Sequence, residues 1–163
     1  MAENQVSAAL KMIPYGFYAI GSHYDGDDNL MVLNWLTQAS FEPQLIALGL
    51  QKSAYSYALI EKSGKLVVNI LRAEDQEAIA GLTKSRDKNP DKMKDAAYSA
   101  GPTSGAPVLD AAAAFLECEV VDTLETGGDH NIVLAKVVNA EVRKPGEAGE
   151  TLNLPDMGWS YAG

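Results

Sequence analysis

The chain has 163 residues, of which 47% are hydrophobic and 21% charged; that is enough for one domain with a sizeable buried core, and it argues against disorder. A formal net charge of −9 leaves no basic surface for a nucleic-acid backbone or an anionic membrane, although local dipoles can still hold a small anion. No apolar run is long enough to span a bilayer, MAENQVSAALKMIP lacks the charged start and hydrophobic run of a signal peptide, and the single cysteine, Cys118, cannot close an internal disulfide, so a soluble protein of the reducing cytoplasm is expected.

In chain order, ENQVSAALKMI predicts a short helix ended by Pro14. YGFYAIGSHY, rich in aromatic and branched side chains, predicts a strand, followed by the turn DGDDN. LMVLNW and LIALGL read as two short apolar strands, taken as neighbours, with NWLTQASFEP as a polar corner between them. Thr37 to Ser40 is then expected to be a loop at the rim of the sheet. AYSYALIEKSG predicts a helix stopped by Gly64, with Ser53 as its N-cap and Ser56 where a capping box would place Glu or Gln. KLVVNIL reads as a buried strand, EDQEAIAGLTKS as an amphipathic helix, RDKNPDKMKD as a surface segment and GPTSGAP as a loop. FLECEVVDTLE and NIVLAKVVNAEVRK predict long strands joined by the hairpin turn TGGD.

Six or so strands with only short helices between them do not suit a doubly wound parallel sheet. The pattern predicts a mainly β, antiparallel barrel with helical excursions, formed by the whole chain (1–163) as a single domain. The last strand is apolar on both faces at Ile132, Val133, Leu134, Ala135, Val137 and Val138. One face can line the barrel; the other predicts cover by a second copy, hence a homodimer.

Three segments carry polar chemistry. The corner offers backbone N–H groups and the hydroxyls of Thr37 and Ser40 to a ligand, although such hydroxyls also serve their own turns. At LQKSAYSYALI, Lys52, Ser53 and Ser56 meet the first turn of a helix, a combination suited to a phosphomonoester; a capped helix with a solvated lysine accounts for the same residues. In GGDH, His130 opens a strand at a rim, where a half-exposed imidazole can donate a proton or bond an amide, or stand idle. His23, His130 and Cys118 are too scattered for a metal site, Cys118 alternates with Leu116 and Val120 as a core residue, and no dinucleotide fingerprint or P-loop is present.

Taken in order, YGFYAIGS, NLMVLNWLTQASFEPQLIALGL, KSAYSYALIEKSGKLVVNIL, GAPVL, LECEVV, GGDHNIVLAKVVNAEV and GWSYAG resemble the flavin reductase-like, FMN-binding split-barrel proteins from about residue 8 to the end. The resemblance implies an antiparallel split β-barrel of the FMN-binding type. It places Asn34, Trp35, Thr37, Gln38, Ala39 and Ser40 around the flavin ring and ribityl chain, Lys52, Ser53 and Ser56 at the phosphate, and His130 near the reactive face as the catalytic position. It implies FMN or FAD as flavin, NADH or NADPH as electron donor, and a monooxygenase or another redox protein as acceptor. A flavoredoxin-like electron carrier fed by a protein donor is the alternative it leaves open. Tyr55 departs from the basic or small residues frequent at that position, which bears on the room beside the phosphate and adenylate.

Overall fold

The computed structural model describes residues 5–160. Glu3 and Asn4 of the first predicted helix, and Tyr161 to Gly163 of the terminal motif, lie outside the described residues. Along the chain run α1 (Gln5–Leu10), β1 (Tyr18–Tyr24), β2 (Asp27–Leu33), β3 (Leu36–Ser40), β4 (Leu45–Gln51), α2 (Tyr55–Ser63) and β5 (Lys65–Ile70). The short helices α3 (Glu77–Ala80) and α4 (Lys92–Asp95) follow, then β6 (Tyr98–Ala100), β7 (Pro107–Leu109), β8 (Ala114–Leu124) and β9 (His130–Val142). No helix among the described residues is long and apolar enough to cross a membrane.

Seven strands form one antiparallel sheet in the order β2-β1-β5-β8-β9-β4-β3, and β6 and β7 pair separately. The DGDDN turn closes tightly because Asp25 and Gly26 both take positive φ, 49° and 78°, which matches the twist of the flanking strands β1 and β2. β2 and β3 stand at opposite edges of the sheet, yet only Asn34 and Trp35 separate them. The sheet must therefore curl until its edges meet, and because the ladder does not continue between them the barrel is split. One core inside the curl joins Ile20 of β1, Leu33 of β2, Leu48 and Leu50 of β4, Val68 of β5, Cys118 of β8 and Val133 of β9, with Ile60 of α2 as a plug. Burial pushes the Cys118 thiol up to about 12, which fits an inert core side chain.

The structure corrects the expected corner. Thr37 to Ser40 is not a loop but strand β3, with Leu36, Thr37 and Gln38 registered against Leu48, Ala47 and Ile46 of β4 and a shift in register between Gln38 and Ser40. Its polar composition is that of an exposed edge strand, where hydroxyls and amides meet water and discourage further pairing. Nor is β2 the neighbour of β4; its ladder partner is β1. The amphipathic helix of EDQEAIAGLTKS shrinks to a 3₁₀ turn at Ala73–Asp75 and the four residues of α3, with Gly81 as its C-cap. RDKNPDKMKD is not all surface, because α4 buries Lys92 to 3% exposure. The helix α2 ends as expected, with Gly64 left-handed at φ 68° and its N–H donating to Ile60 O.

The outer face is covered in part by the chain itself. Phe17, Leu30, Leu71, Ile79, Leu109, Leu152 and Leu154 form a second core under α3 and the C-terminal segment. The GPTSGAP loop, between β6 and β7, is pinned by Glu117 of β8, which is fully buried. Its carboxylate accepts from Ser104 Oγ at 2.7 Å, Ser104 N at 2.8 Å, Thr103 N at 3.0 Å and Asn139 Nδ2 at 2.7 Å. Burial pushes this carboxyl pKa up, but the donors of Asn139, Ser104 and Thr103 outweigh it and hold the group below its ordinary value. Glu117→Gln is expected to cost about 1–3 kcal/mol at neutral pH in urea unfolding, because an amide cannot accept all of these bonds. The folded pKa is depressed, so the carboxylate's contribution is complete above the ordinary value of 4.5 and fades as pH falls through the folded value. The gap between wild type and variant should close in the same direction, and a gap that persists in acid would refute this role.

Candidate functional site

Two clefts meet along β2. The larger, about 430 Å³, is lined by Asn29, Gln51, Ser53, Tyr55, Lys84, Ser85 and Arg86 among others. The smaller, about 90 Å³, is lined by Leu33, Asn34, Trp35, Gly49 and His130, and both clefts share Met31, Val32 and Gln51. A third, shallow apolar depression of about 540 Å³ lies on the outer face, where Trp35 and Gly49 recur beside Thr37, Ala47 and Ile132. Trp35 thus stands at the junction of the last two.

The small cleft is built by the seam of the barrel. The link Asn34–Trp35 is tied across to β4 where Gly49 N donates to Trp35 O at 2.9 Å. The indole lies against Gly49, since a Cβ there would come within 3.1 Å of Trp35 Cε3; glycine is what lets the ring lie so close. His130 reaches the same place because β9 pairs with β4 and sets His130 opposite Gln51. Its ring centroid is 4.7 Å from that of Trp35, tilted by 56°. Asn131 Nδ2 donates to Tyr57 OH at 2.9 Å and Lys52 N to Asp129 O at 3.0 Å, which fasten the hairpin end to α2 and its lead-in.

His130 Nδ1 lies 2.7 Å from Asp129 Oδ1. The hydrogen bond to His130, reinforced by its charge, holds the exposed Asp129 carboxyl below its ordinary pKa. An ionised Asp129 accepts from Nδ1–H, which leaves Nε2 as the ring's second hydrogen-bonding atom. Asn34 is buried, and its Nδ2 has no hydrogen-bond partner among the described residues. A buried amide with an unmet donor beside a cleft is suited to a carbonyl or ring nitrogen of a ligand.

The large cleft is the basic end of an acidic protein. Lys84 and Arg86 bring positive charge, and Ser53 and Ser85 bring hydroxyls. The loop carrying them is tied down by Lys92, whose Nζ donates to Lys84 O at 3.0 Å. Burial first, and the Arg86 charge second, lower the Lys92 pKa to about 8. Together the clefts offer apolar and aromatic walls at one end and anion donors at the other, which fits a planar ring with an anionic tail.

The predicted site residues therefore divide. Asn34, Trp35 and His130 come together, and Ser53 lines the larger cleft. Thr37 faces the outer depression and donates from Oγ1 to Gln38 O at 3.1 Å, while Gln38, Ala39 and Ser40 continue along the edge strand. Lys52 is exposed beside the Asp129 turn. Ser53 is not the N-cap: α2 starts at Tyr55 and Ala54 takes the cap without a side-chain bond. Ser56 is fully buried and its Oγ accepts from Asn29 Nδ2 at 2.8 Å, so it supports a cleft residue instead of facing the cleft. Lys84, Ser85, Arg86 and Asn29 join the larger cleft without a motif in the sequence that marks them. The hydroxyl–cation mixture TKSR following a short apolar stretch was the only local signal.

Comparison with known proteins identifies the family of the chain. The flavin reductase like domain matches residues 10–156. A flavin reductase of Pseudomonas putida is 28% identical over 142 residues, which cover 86% of this chain and 81% of that protein. The reductase subunit HsaB of a flavin-dependent monooxygenase from Rhodococcus jostii is 34% identical over 106 residues, 64% of this chain and 52% of HsaB. The structure of the Streptomyces globisporus C-1027 NADH:FAD oxidoreductase SgcE6 superposes with a TM-score of 0.76 at 25% identity, over 86% of this chain and 83% of that one. The chain belongs to the flavin reductase-like family.

Proposed function

We propose that this member of the flavin reductase-like family is an NAD(P)H-dependent flavin reductase that holds FMN along β2, with the whole chain acting as one domain. The observation that carries the reading is the pairing of an aromatic, amide-lined cleft at Asn34, Trp35 and His130 with a basic, hydroxyl-lined cleft at Ser53, Lys84, Ser85 and Arg86. A flavin held there would supply the redox chemistry, that of hydride acceptance and onward electron transfer. The protein's part is binding and orientation. Asn34 donates to a polar edge of the ring, Trp35 and the Met31–Leu33 backbone wall it, and Thr37 to Ser40 flank it along the edge strand. Ser53, Lys84, Ser85 and Arg86 hold the phosphate, with Lys52 adding charge nearby and Ser56 fixing Asn29. His130, oriented by Asp129, bonds the nicotinamide amide or holds a proton at the reacting edge.

A monooxygenase component is the proposed acceptor, in line with the relative HsaB, a reductase subunit. A second reading, an electron carrier of the flavoredoxin kind, draws on the net charge of −9, which suits docking of a basic redox protein. Anaerobic mixing of the FMN-loaded protein with NADH and then NADPH decides between them. Rapid bleaching of the flavin band is expected, and the faster donor names the coenzyme. Flavin that stays oxidised with both donors but bleaches with dithionite would replace the reductase by the carrier.

The outer face of the long hairpin leaves Val121, Leu124, Ile132 and Val138 exposed, and a second copy of the chain is the proposed cover. Sedimentation at micromolar concentration should give the mass of two copies; the mass of one would remove the dimer.

A further inference from the structure

We propose that Tyr55, Arg86 and Asp27 form a stop at the far end of the larger cleft that admits a flavin mononucleotide and disfavours a dinucleotide. This rests on the flavin reading above and assigns its specificity to side chains with no part in the ring end.

β2 works as a ruler for the site. Asn34, just past its end, faces the small cleft, Met31 and Val32 line both clefts, Asn29 lines the larger one, and Asp27 is its first residue. Seven residue steps from Asp27 to Asn34 span about 23 Å at roughly 3.3 Å per residue. A ligand with its ring at Asn34 and Trp35 therefore runs its tail toward Asp27.

At that end Tyr55 is fixed on two sides although 42% exposed. Its hydroxyl donates to the Asp27 carboxylate, and the Arg86 guanidinium carbon stands 4.5 Å over its ring. Arg86 is itself held: Nη1 donates to Asp28 O at 2.8 Å and Nη2 lies 3.5 Å from Asp27 Oδ1. Asp28 continues the lattice through His23 Nδ1 at 2.6 Å and Tyr98 OH at 3.2 Å. The bond to Asp27 also raises the Tyr55 pKa, with burial and the Asp27 charge adding to it, so the phenol stays a neutral donor.

Three consequences act in one direction. One face of the Tyr55 ring is already covered by the Arg86 guanidinium and is closed to a stacking adenine. The Asp27 carboxylate repels a second phosphate at the point where a pyrophosphate would continue. Asp27 also engages part of the Arg86 charge, leaving enough, with Lys84, Ser53 and Ser85, for one terminal phosphate but little for two.

Titration of the full-length apoprotein with riboflavin, FMN and FAD, followed by flavin fluorescence, tests the stop. Wild type is expected to bind FMN at least about tenfold more tightly than FAD. Tyr55→Ala should bring the two within about threefold of each other, chiefly by tightening FAD. Tyr55→Phe, which keeps the ring and loses only the bond to Asp27, and Asp27→Asn, which removes the charge, should each fall between. Equal wild-type affinities, or a preference unchanged in Tyr55→Ala and Asp27→Asn, would overturn the stop while leaving the flavin reading intact. Absence of binding by all three flavins would overturn both.

Discussion

Removing the imidazole of His130 is expected to slow anaerobic flavin reduction by NADH or NADPH about 100-fold, the scale on which a misplaced reactant or a lost proton partner acts. Flavin affinity should change by no more than about twofold, since in this reading His130 bonds the nicotinamide or the reacting proton while Asn34 and Trp35 keep the flavin. The split between the two readouts is the test. His130 packs against Trp35 at 4.7 Å, so a merely structural role would loosen the flavin as much as it slows the hydride step. An unchanged reduction rate would take His130 out of the mechanism. Asp129→Ala should give a weaker effect of the same kind, because it frees the imidazole to turn without removing it.

At the other end of the site, Ser53→Ala combined with Lys84→Ala is expected to weaken FMN at least about 100-fold and leave riboflavin nearly untouched. Each hydrogen bond to a charged group is worth about 1.5–3 kcal/mol, and in the proposed reading both donors serve only the phosphate. Equal losses for FMN and riboflavin would show that these residues support the cleft and not the anion. Ser56 does not belong in this experiment. It is fully buried and bonded to Asn29, so Ser56→Ala would disturb the packing behind the cleft and affect both ligands alike.

Much of this architecture was legible because it is local. The 49° and 78° φ angles at Asp25–Gly26, the left-handed Gly64 stop and the long β8–β9 hairpin each follow from residues a few positions apart. The alternation around Cys118 put that thiol in the core, where it lies. Thr37 to Ser40 reads as a loop in sequence because hydroxyls and amides interrupt the apolar pattern, but an edge strand is polar for reasons of sheet geometry that no short window contains. The same holds for partners: the order of the apolar runs suggests β2 beside β4, whereas β2 pairs back on β1 and β4 lies between β3 and β9, so the two strands stand apart in the sheet. At the site, Ser53 was found by its place before a helix, whereas Arg86 depends on Asp28, Asn29 and Tyr55, residues 58, 57 and 31 positions away. Contacts of that range are set by tertiary packing, and a charged stretch such as RDKNPDKMKD gives no sign of them.

The seam itself has a thermodynamic consequence. β2 and β4 share no ladder, and the link between the sheet edges is held locally by Gly49 N on Trp35 O at 2.9 Å and Leu36 N on Asn34 O at 3.2 Å. A ligand touching Met31 and Asn34 on one side and Gly49 and Gln51 on the other binds only the closed form, and so adds its own affinity to the stability of the fold. At 100 times its dissociation constant that addition is about 2.7 kcal/mol, a large share of what holds an ordinary domain together. Cofactor supply and resistance to unfolding are then linked, and a shortage of the ligand lowers the stability of the fold.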